Sequence, residues 1–325
     1  MIRQLLCTLI TGAILVSGPV CSEAAIIFSD NFATSTLNSA APAAPTASST
    51  NYQVLSTKDA TSSSIGAGSL NLAMVNTSSG FNELQALFAA SPVALTQTGH
   101  YVTARVGFTS TGLNSLGNGT LNVGLFNSGG AGPVPGTQLN NSQLDDAGVF
   151  TTGNAAGWQG YVGRIGRVGG ASSQLYTRPA QVGETSAEAQ DALFNNAGGG
   201  AFDNPTATVV QGGGVGGTLT NGTAYTLSLK ATYDAGTSLV TLDYLLTDAN
   251  GTIDTLTGTT TLVTTLATAF DAFSIGYRAT DSIGPFSLNL TSLEIDTNVS
   301  TVPEPATLGL LAMLGLTLAV RRRVK

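Results

Sequence analysis

The chain has 325 residues, enough for one large all-β domain or two small ones, and 42 % are hydrophobic, so a sizeable core can be built. Only 10 % are charged, against roughly 25 % in ordinary globular proteins, and Gly, Ala, Ser, Thr and Asn fill the gap with a surface that suits exported β-proteins better than cytosolic enzymes. The formal charge of −7 understates the acidity, because five of the 12 basic and two of the 19 acidic residues lie in the terminal segments; the body keeps 7 basic and 17 acidic groups, a net −10, which excludes nucleic acid as a partner.

In chain order, residues 1–24 read as a Sec-type signal. Arg3 supplies the basic start, and Leu5 to Val16 is an apolar core too short to span a bilayer comfortably. Gly18 and Pro19 break it, and Ser22-Glu23-Ala24 offers small residues for signal peptidase, with Ala25 as the new N-terminus. Cys7 and Cys21 are the two cysteines, so processing there leaves a body without thiols, and Val20 is an unsuitable neighbour for a lipoprotein Cys21.

Residues 25–300 read as one antiparallel β-sandwich. Ala25 to Phe28 opens as a strand, and Ala33 to Asn51 is a loop rich in Ala, Ser, Thr and Pro. Strands follow at Ser69 to Val75, Tyr101 to Thr109 and Thr120 to Phe126. Phe81 to Phe88 reads as a single helical turn, and Gly183 to Asn195 as a short helix capped by Thr185 or Ser186. Ser128 to Gly136 and Gly198 to Gly217 are Gly-rich connections. The clearest unit alternates Tyr225, Leu227, Leu229, Ala231 and Tyr233 with polar residues, then Val240, Leu242, Tyr244 and Leu246, with Asn250-Gly251 as a hairpin signal. Phe270 to Tyr277 and Phe286 to Ile295 complete the pattern. Period-2 alternation predicts one buried and one wet face per strand.

The order of these elements resembles that of concanavalin A-like jelly rolls. The resemblance implies an antiparallel jelly-roll β-sandwich whose last strand returns beside the first.

The end of the chain has three parts, residues 302–325. Pro303-Glu304-Pro305 is followed by 15 uncharged residues, 306–320, and then by Arg321, Arg322 and Arg323 ahead of Val324 and Lys325. The apolar stretch predicts a transmembrane helix of roughly 22 Å, shorter than the hydrocarbon core of roughly 30 Å. The arginines hold the end on the cytoplasmic side, and the prolines keep the preceding segment extended. This tail resembles the PEP-CTERM signal of Gram-negative bacteria that make extracellular polysaccharide. The resemblance implies recognition by exosortase, a membrane cysteine transpeptidase, transient anchoring in the inner membrane, and release from the tail to the cell surface or extracellular matrix.

Chemistry in the body is sparse. Leu293-Glu294-Ile295-Asp296-Thr297-Asn298-Val299 starts like the Glu-x-Asp-x-x-Glu of family 16 glucanases and lacks the last carboxylate, so the paired acid and base of a glycosidase are incomplete. His100 is the one histidine and reads as a surface or cap residue, and a multi-histidine metal site is impossible. Asp248 to Asp254 is spaced loosely like a calcium loop without its bidentate Glu, and reads as a hairpin turn; the acidic loops at Asp145-Asp146 and Asp281 leave calcium open elsewhere. No other cofactor is implied. The densest group is Trp158, Tyr161, Arg164, Arg167, Tyr176 and Arg178. Aromatic faces and Arg donors are what a sugar-binding groove needs, and a strand pair with Trp158 and Tyr161 in the core accounts for the same residues. Three functions stay open: a non-enzymatic surface or matrix protein in contact with exopolysaccharide, a lectin-like carbohydrate-binding module, and a polysaccharide-degrading enzyme.

Overall fold

The computed structural model describes residues 24–32, 52–56, 60–66, 68–74, 80–89, 91–112, 119–129, 155–165, 173–180, 193–194, 209–213, 219–279 and 285–299. The signal of residues 1–23, the loop over Ala33 to Asn51, most of the Gly-rich connections, Arg167, Asp145-Asp146, Asp281 and the apolar tail with its Pro-Glu-Pro and Arg groups lie outside them. The helix expected over Gly183 to Asn195 does too, except for Leu193 and Phe194, which form a bend. Among the described residues, no helix is long and apolar enough to cross a membrane.

The chain forms two antiparallel sheets in jelly-roll order. Along the chain the strands are β1 (Ala25–Asp30), β2 (Tyr52–Ser56), β3 (Ala60–Gly66), β4 (Ser69–Met74), β5 (Gly80–Leu87) and β6 (Val93–Ala94). Next come β7 (Tyr101–Thr111), β8 (Thr120–Asn127), β9 (Gln159–Ile165), β10 (Gln174–Arg178) and β11 (Val209–Gly212). The last are β12 (Tyr225–Asp234), β13 (Leu239–Asp248), β14 (Gly251–Thr259), β15 (Ala269–Phe270), β16 (Ala272–Ala279) and β17 (Phe286–Thr297). The eight-stranded sheet runs β14-β13-β12-β7-β17-β4-β3. Its eighth strand, β1, pairs with the C-terminal half of β17, while β4 pairs with the N-terminal half. The first strand thus lies beside the last, as the jelly-roll resemblance implies. The seven-stranded sheet runs β11-β10-β9-β8-β16-β5-β2, and β6 and β15 form a short ladder of their own.

The alternating residues meet between the sheets. Val102, Ala104, Val106 and Phe108 of β7, Leu227 and Leu229 of β12, and Leu288, Leu290 and Ile295 of β17 pack there. They face Leu84 of β5, Leu121, Val123 and Leu125 of β8, and Phe273 and Ile275 of β16. Each such side chain contributes roughly 1.5–3 kcal/mol on burial. Close approach is set by glycine at one edge. A Cβ on Gly258 of β14 would stand 2.5 Å from Gln211 Cβ and 3.2 Å from Val210 Cγ1, so that edge closes directly over β11.

Two expectations change. Phe81 to Phe88 is strand, not a helical turn: β5 pairs on one side with β16 and on the other with β2, and two ladders outweigh the local i, i+3 pattern. The hairpin turn expected at Asp248 to Gly251 is present. Asp248 pairs with Gly251, which carries the positive φ of 127°, and Asp248 Oδ1 accepts from Asn250 N at 2.7 Å. The rule of one wet face holds for β12 and β13 and fails for the seven-stranded sheet, where six consecutive residues of β8 and residues 272–277 of β16 are buried.

Candidate functional site

The outer face of the seven-stranded sheet gathers the densest chemistry among the described residues. Because strands alternate, the core-facing set leaves Glu83 and Gln85 of β5 pointing outward, with Ser274 and Gly276 of β16 and Asn122 and Gly124 of β8. Gly160, Val162 and Arg164 of β9 and Gln174, Tyr176 and Arg178 of β10 extend the same face. Register places these in rows: Gln174, Arg164, Asn122, Gly276 and Glu83 form one, and Tyr176, Val162, Gly124, Ser274 and Gln85 the next. Gly276 has to be glycine, since a Cβ there would stand 2.5 Å from Glu83 Cβ and 2.6 Å from the Asn82 carbonyl.

A second apolar cluster covers part of this face. Phe126, Val162, Tyr176 and Ala272 of the sheet pack under Ala155, Trp158, Leu193 and Phe194. Trp158 follows a 3-10 turn over Ala155–Gly157 and tilts against Phe126 at 6.1 Å. The clamp is polar. Glu83 is fully buried; its Oε1 accepts from Leu193 N at 2.8 Å and from Gln85 Nε2 at 2.5 Å, and its Oε2 accepts from Phe194 N at 3.0 Å. Burial pushes the Glu83 carboxyl up to about 7, against the pull of these donors and of the Arg178 charge. Arg178, also buried, donates through Nη1 to the Trp158 carbonyl.

The aromatic and arginine group anticipated from sequence is divided by the fold. Trp158 is buried within the second cluster. Tyr161 points the other way, into the inter-sheet core, where its hydroxyl donates to the Ala267 carbonyl at 2.9 Å and accepts from Leu266 N at 3.2 Å. Burial pushes that phenol up to about 12. The two rings therefore share no groove, and neither offers a face to a sugar from solvent. Arg164 sits 4.9 Å over the Tyr176 ring, and both Arg164 Nη2 and the Tyr176 hydroxyl donate to Gln174 Oε1. Of the named residues within the description, Arg164 alone is more than marginally exposed. On the paired residues Asn122 of β8 and Arg164 of β9, Asn122 Oδ1 and Arg164 Nε are buried and have no hydrogen-bond partner. Sequence reasoning passed over Glu83, Gln85, Asn122 and Ser274, whose signal was a polar residue at every second position of a strand with apolar alternates.

The other candidates are held in structural contacts. Glu294 and Asp296 lie on the outer face of the eight-stranded sheet, and both accept from Arg105 Nη1. His100 Nδ1 accepts from Thr96 N at 3.3 Å and caps a loop. Among the described residues, no three His, Cys, Asp or Glu side chains gather as a metal site.

Residues 301–323 match the PEP-CTERM protein-sorting motif. No curated protein sequence matches the chain. Among solved structures, peanut lectin with a nine-residue peptide is similar at 15 % identity and a TM-score of 0.41, covering 86 % of this chain and 100 % of the lectin. Basic winged bean lectin with Tn-antigen is similar at 13 % and 0.43, covering 85 % and 98 %. The exoplasmic/lumenal domain of VIP36 is similar at 11 % and 0.40, covering 76 % and 83 %. The jelly roll described here stands on its own sheet order and register, and the C-terminal segment of the chain is a PEP-CTERM sorting motif.

Proposed function

We propose that this chain is an exported, exosortase-sorted protein whose mature part, residues 25–300, is a non-enzymatic structural or adhesive sandwich of the cell surface or extracellular matrix. The observation that carries the reading is the sorting motif over residues 301–323 at the end of a β-domain. The non-enzymatic part is supported by how the carboxylates are used: Glu83 is saturated by backbone and amide donors, and Glu294 and Asp296 share one arginine. Signal peptidase and exosortase are the processing partners. Mass spectrometry of protein harvested from the native organism tests it. The expected mature chain starts at Ala25 and has lost the apolar segment 306–320 and the arginines after it. An exported chain with an intact C-terminus would overturn it.

A second reading, contact with extracellular polysaccharide, takes Arg164, partly exposed on the outer face of the seven-stranded sheet beside Gln174, as the one donor of the anticipated group, among the described residues, within reach of a sugar hydroxyl. Glycan-array binding lost in Arg164→Ala would support it, and an unchanged profile would remove it.

A further inference from the structure

The turn after β14 is an apolar tip on a polar frame. Among the described residues, four large hydrophobics are exposed, and two of them are neighbours: Leu262 at 73 % and Val263 at 90 %. Thr264 N and Thr265 N donate to the Thr261 carbonyl at 2.9 Å each, Thr261 N donates to Thr264 Oγ1 at 2.6 Å, and the hydroxyls of Thr260 and Thr265 pair at 2.7 Å. Val240 N donates to Thr260 Oγ1 at 2.9 Å, tying the turn to β13. The amides of Thr261, Thr264 and Thr265 thus find partners within the turn, and its two most exposed large side chains are apolar.

Register places this tip at the end of the sandwich from which the sorting tail departs. Thr259 pairs with Thr241, Thr241 with Thr232, and Thr232 with Tyr101, whose N–H donates to Asn298 Oδ1 at 2.9 Å. The row spans five strands, roughly 19 Å at the usual spacing. A third exposed hydrophobic, Ile26 at 48 %, lies at the same end, where it pairs with Asp296. After Val299, six residues precede the apolar stretch that starts at Ala306. Fully extended, they reach roughly 20 Å. A sandwich on so short a tether is held with this end toward the bilayer whenever the tail is embedded. Around the tip, residues 95–101, 233–240, 259–267 and 297–299 contain no Lys or Arg and one acid, Asp234. The end therefore has no electrostatic attraction to anionic lipid, and the attraction left is apolar.

We propose that Leu262 and Val263 form a lipid-contacting tip that seats the sandwich on the bilayer interface while the C-terminal tail is still embedded. The proposal rests on the reading of the tail as a membrane-anchored sorting signal. Two side chains are too few to hold a free protein on a membrane, so the contact exists in the tethered state and ends when the tail is removed. While it lasts, it fixes the orientation in which the Pro-Glu-Pro segment is offered to a membrane-embedded peptidase.

The test uses the chain from Ala25 to Lys325, which keeps the tail and has no cysteine, reconstituted in phosphatidylcholine vesicles. An environment-sensitive fluorophore is placed at Val263→Cys or, as a control in the hairpin turn at the opposite end, at Ala249→Cys. The expected result is a blue shift and a several-fold gain in quenching by lipid-borne nitroxides at 263 and none at 249, unchanged by high salt. Flotation of the protein with the vesicles reports separately on the tail. If the chain floats and the two probes are equally water-exposed, the tip proposal falls and the tail reading stands; if the chain does not float, both fall. Protection at 263 that appears without vesicles and grows with protein concentration would assign the tip to a second copy of the chain and overturn the lipid contact.

Discussion

On the eight-stranded sheet, most side chains that point away from the core are polar or charged, and water covers most of them. Thr257 Oγ1 donates to Asp243 Oδ1 at 2.7 Å, Thr241 and Thr259 pair at 3.1 Å, and Lys230 lies 4.2 Å over the Tyr101 ring, all at the surface. On the seven-stranded sheet the corresponding positions include Glu83, Gln85, Asn122, Ser274 and Arg178, and all five are buried. One alternating pattern thus serves two ends. Facing water, a polar residue needs no partner and its neighbours are interchangeable. Under a cover, an unpaired polar group costs about 1–3 kcal/mol, and Glu83 is matched there by three donors.

The largest expected contrast comes from Glu83→Ala, which removes the acceptor of two backbone N–H groups and an amide on the covered face. A loss of about 3 kcal/mol is expected in denaturant unfolding, from two or three buried bonds at about 1–1.5 kcal/mol each, and Glu83→Gln loses less. The same residue makes the covered face pH-dependent. Its folded value of about 7 lies above the 4.5 of an ordinary glutamate, so between those values the folded state holds more protons than the unfolded one. Stability is expected to be greatest below about pH 4.5 for this group and to fall as pH rises toward about 7. Glu83→Gln flattens that slope and keeps the contribution of Asp271, which burial also raises. A slope unchanged in Glu83→Gln would show that the clamp does not carry it.

A matched pair of glycines sharpens the comparison. At Gly276 an added Cβ meets the Asn82 carbonyl and Glu83 Cα at 2.6 Å each, and neither can move without the strand. At Gly107, on the open face, it meets Ser292 Oγ at 2.5 Å and Thr291 Oγ1 at 2.9 Å, hydroxyls that can rotate away. Gly276→Ala is expected to lose about 2 kcal/mol and Gly107→Ala under about 1. Arg105→Ala, which leaves Glu294 and the buried Asp296 without their cation, is expected to lose about 1 kcal/mol, and less at high salt. Thr257→Val is expected to stay within about 0.5 kcal/mol of the wild type. Equal losses at Gly276 and Gly107 would break the distinction between the faces.

The open sheet was readable and the covered one only half so, for physical reasons. Tyr225 to Tyr233 and Val240 to Leu246 alternate because water sorts their two faces, and β12 and β13 match that reading. The pairing of β1 with β17 was implied by the jelly-roll resemblance. In β5 the run Phe81 to Phe88 also fits a helical turn, and only the ladders with β16 and β2 decide against it. β14 escaped notice because an edge strand with the pattern eeiBeieBe has few apolar positions to repeat. The group from Trp158 to Arg178 was visible as chemistry, whereas the separation of Trp158 from Tyr161 depends on which residue begins β9 and on the cover formed by Leu193 and Phe194. Neither is encoded in local periodicity.

The position of β17 sets the timing of assembly. It fills the middle of the eight-stranded sheet, with β7 on one flank and β1 and β4 end to end on the other. A chain delivered from its N-terminus therefore holds the two halves of that sheet apart until its last strand arrives. The opening strand waits for Leu293 to Thr297, some 270 residues later, before it has a neighbour. The sandwich can shut only when the sorting motif is next in line to emerge, which couples completion of the domain to the moment its tail reaches the membrane.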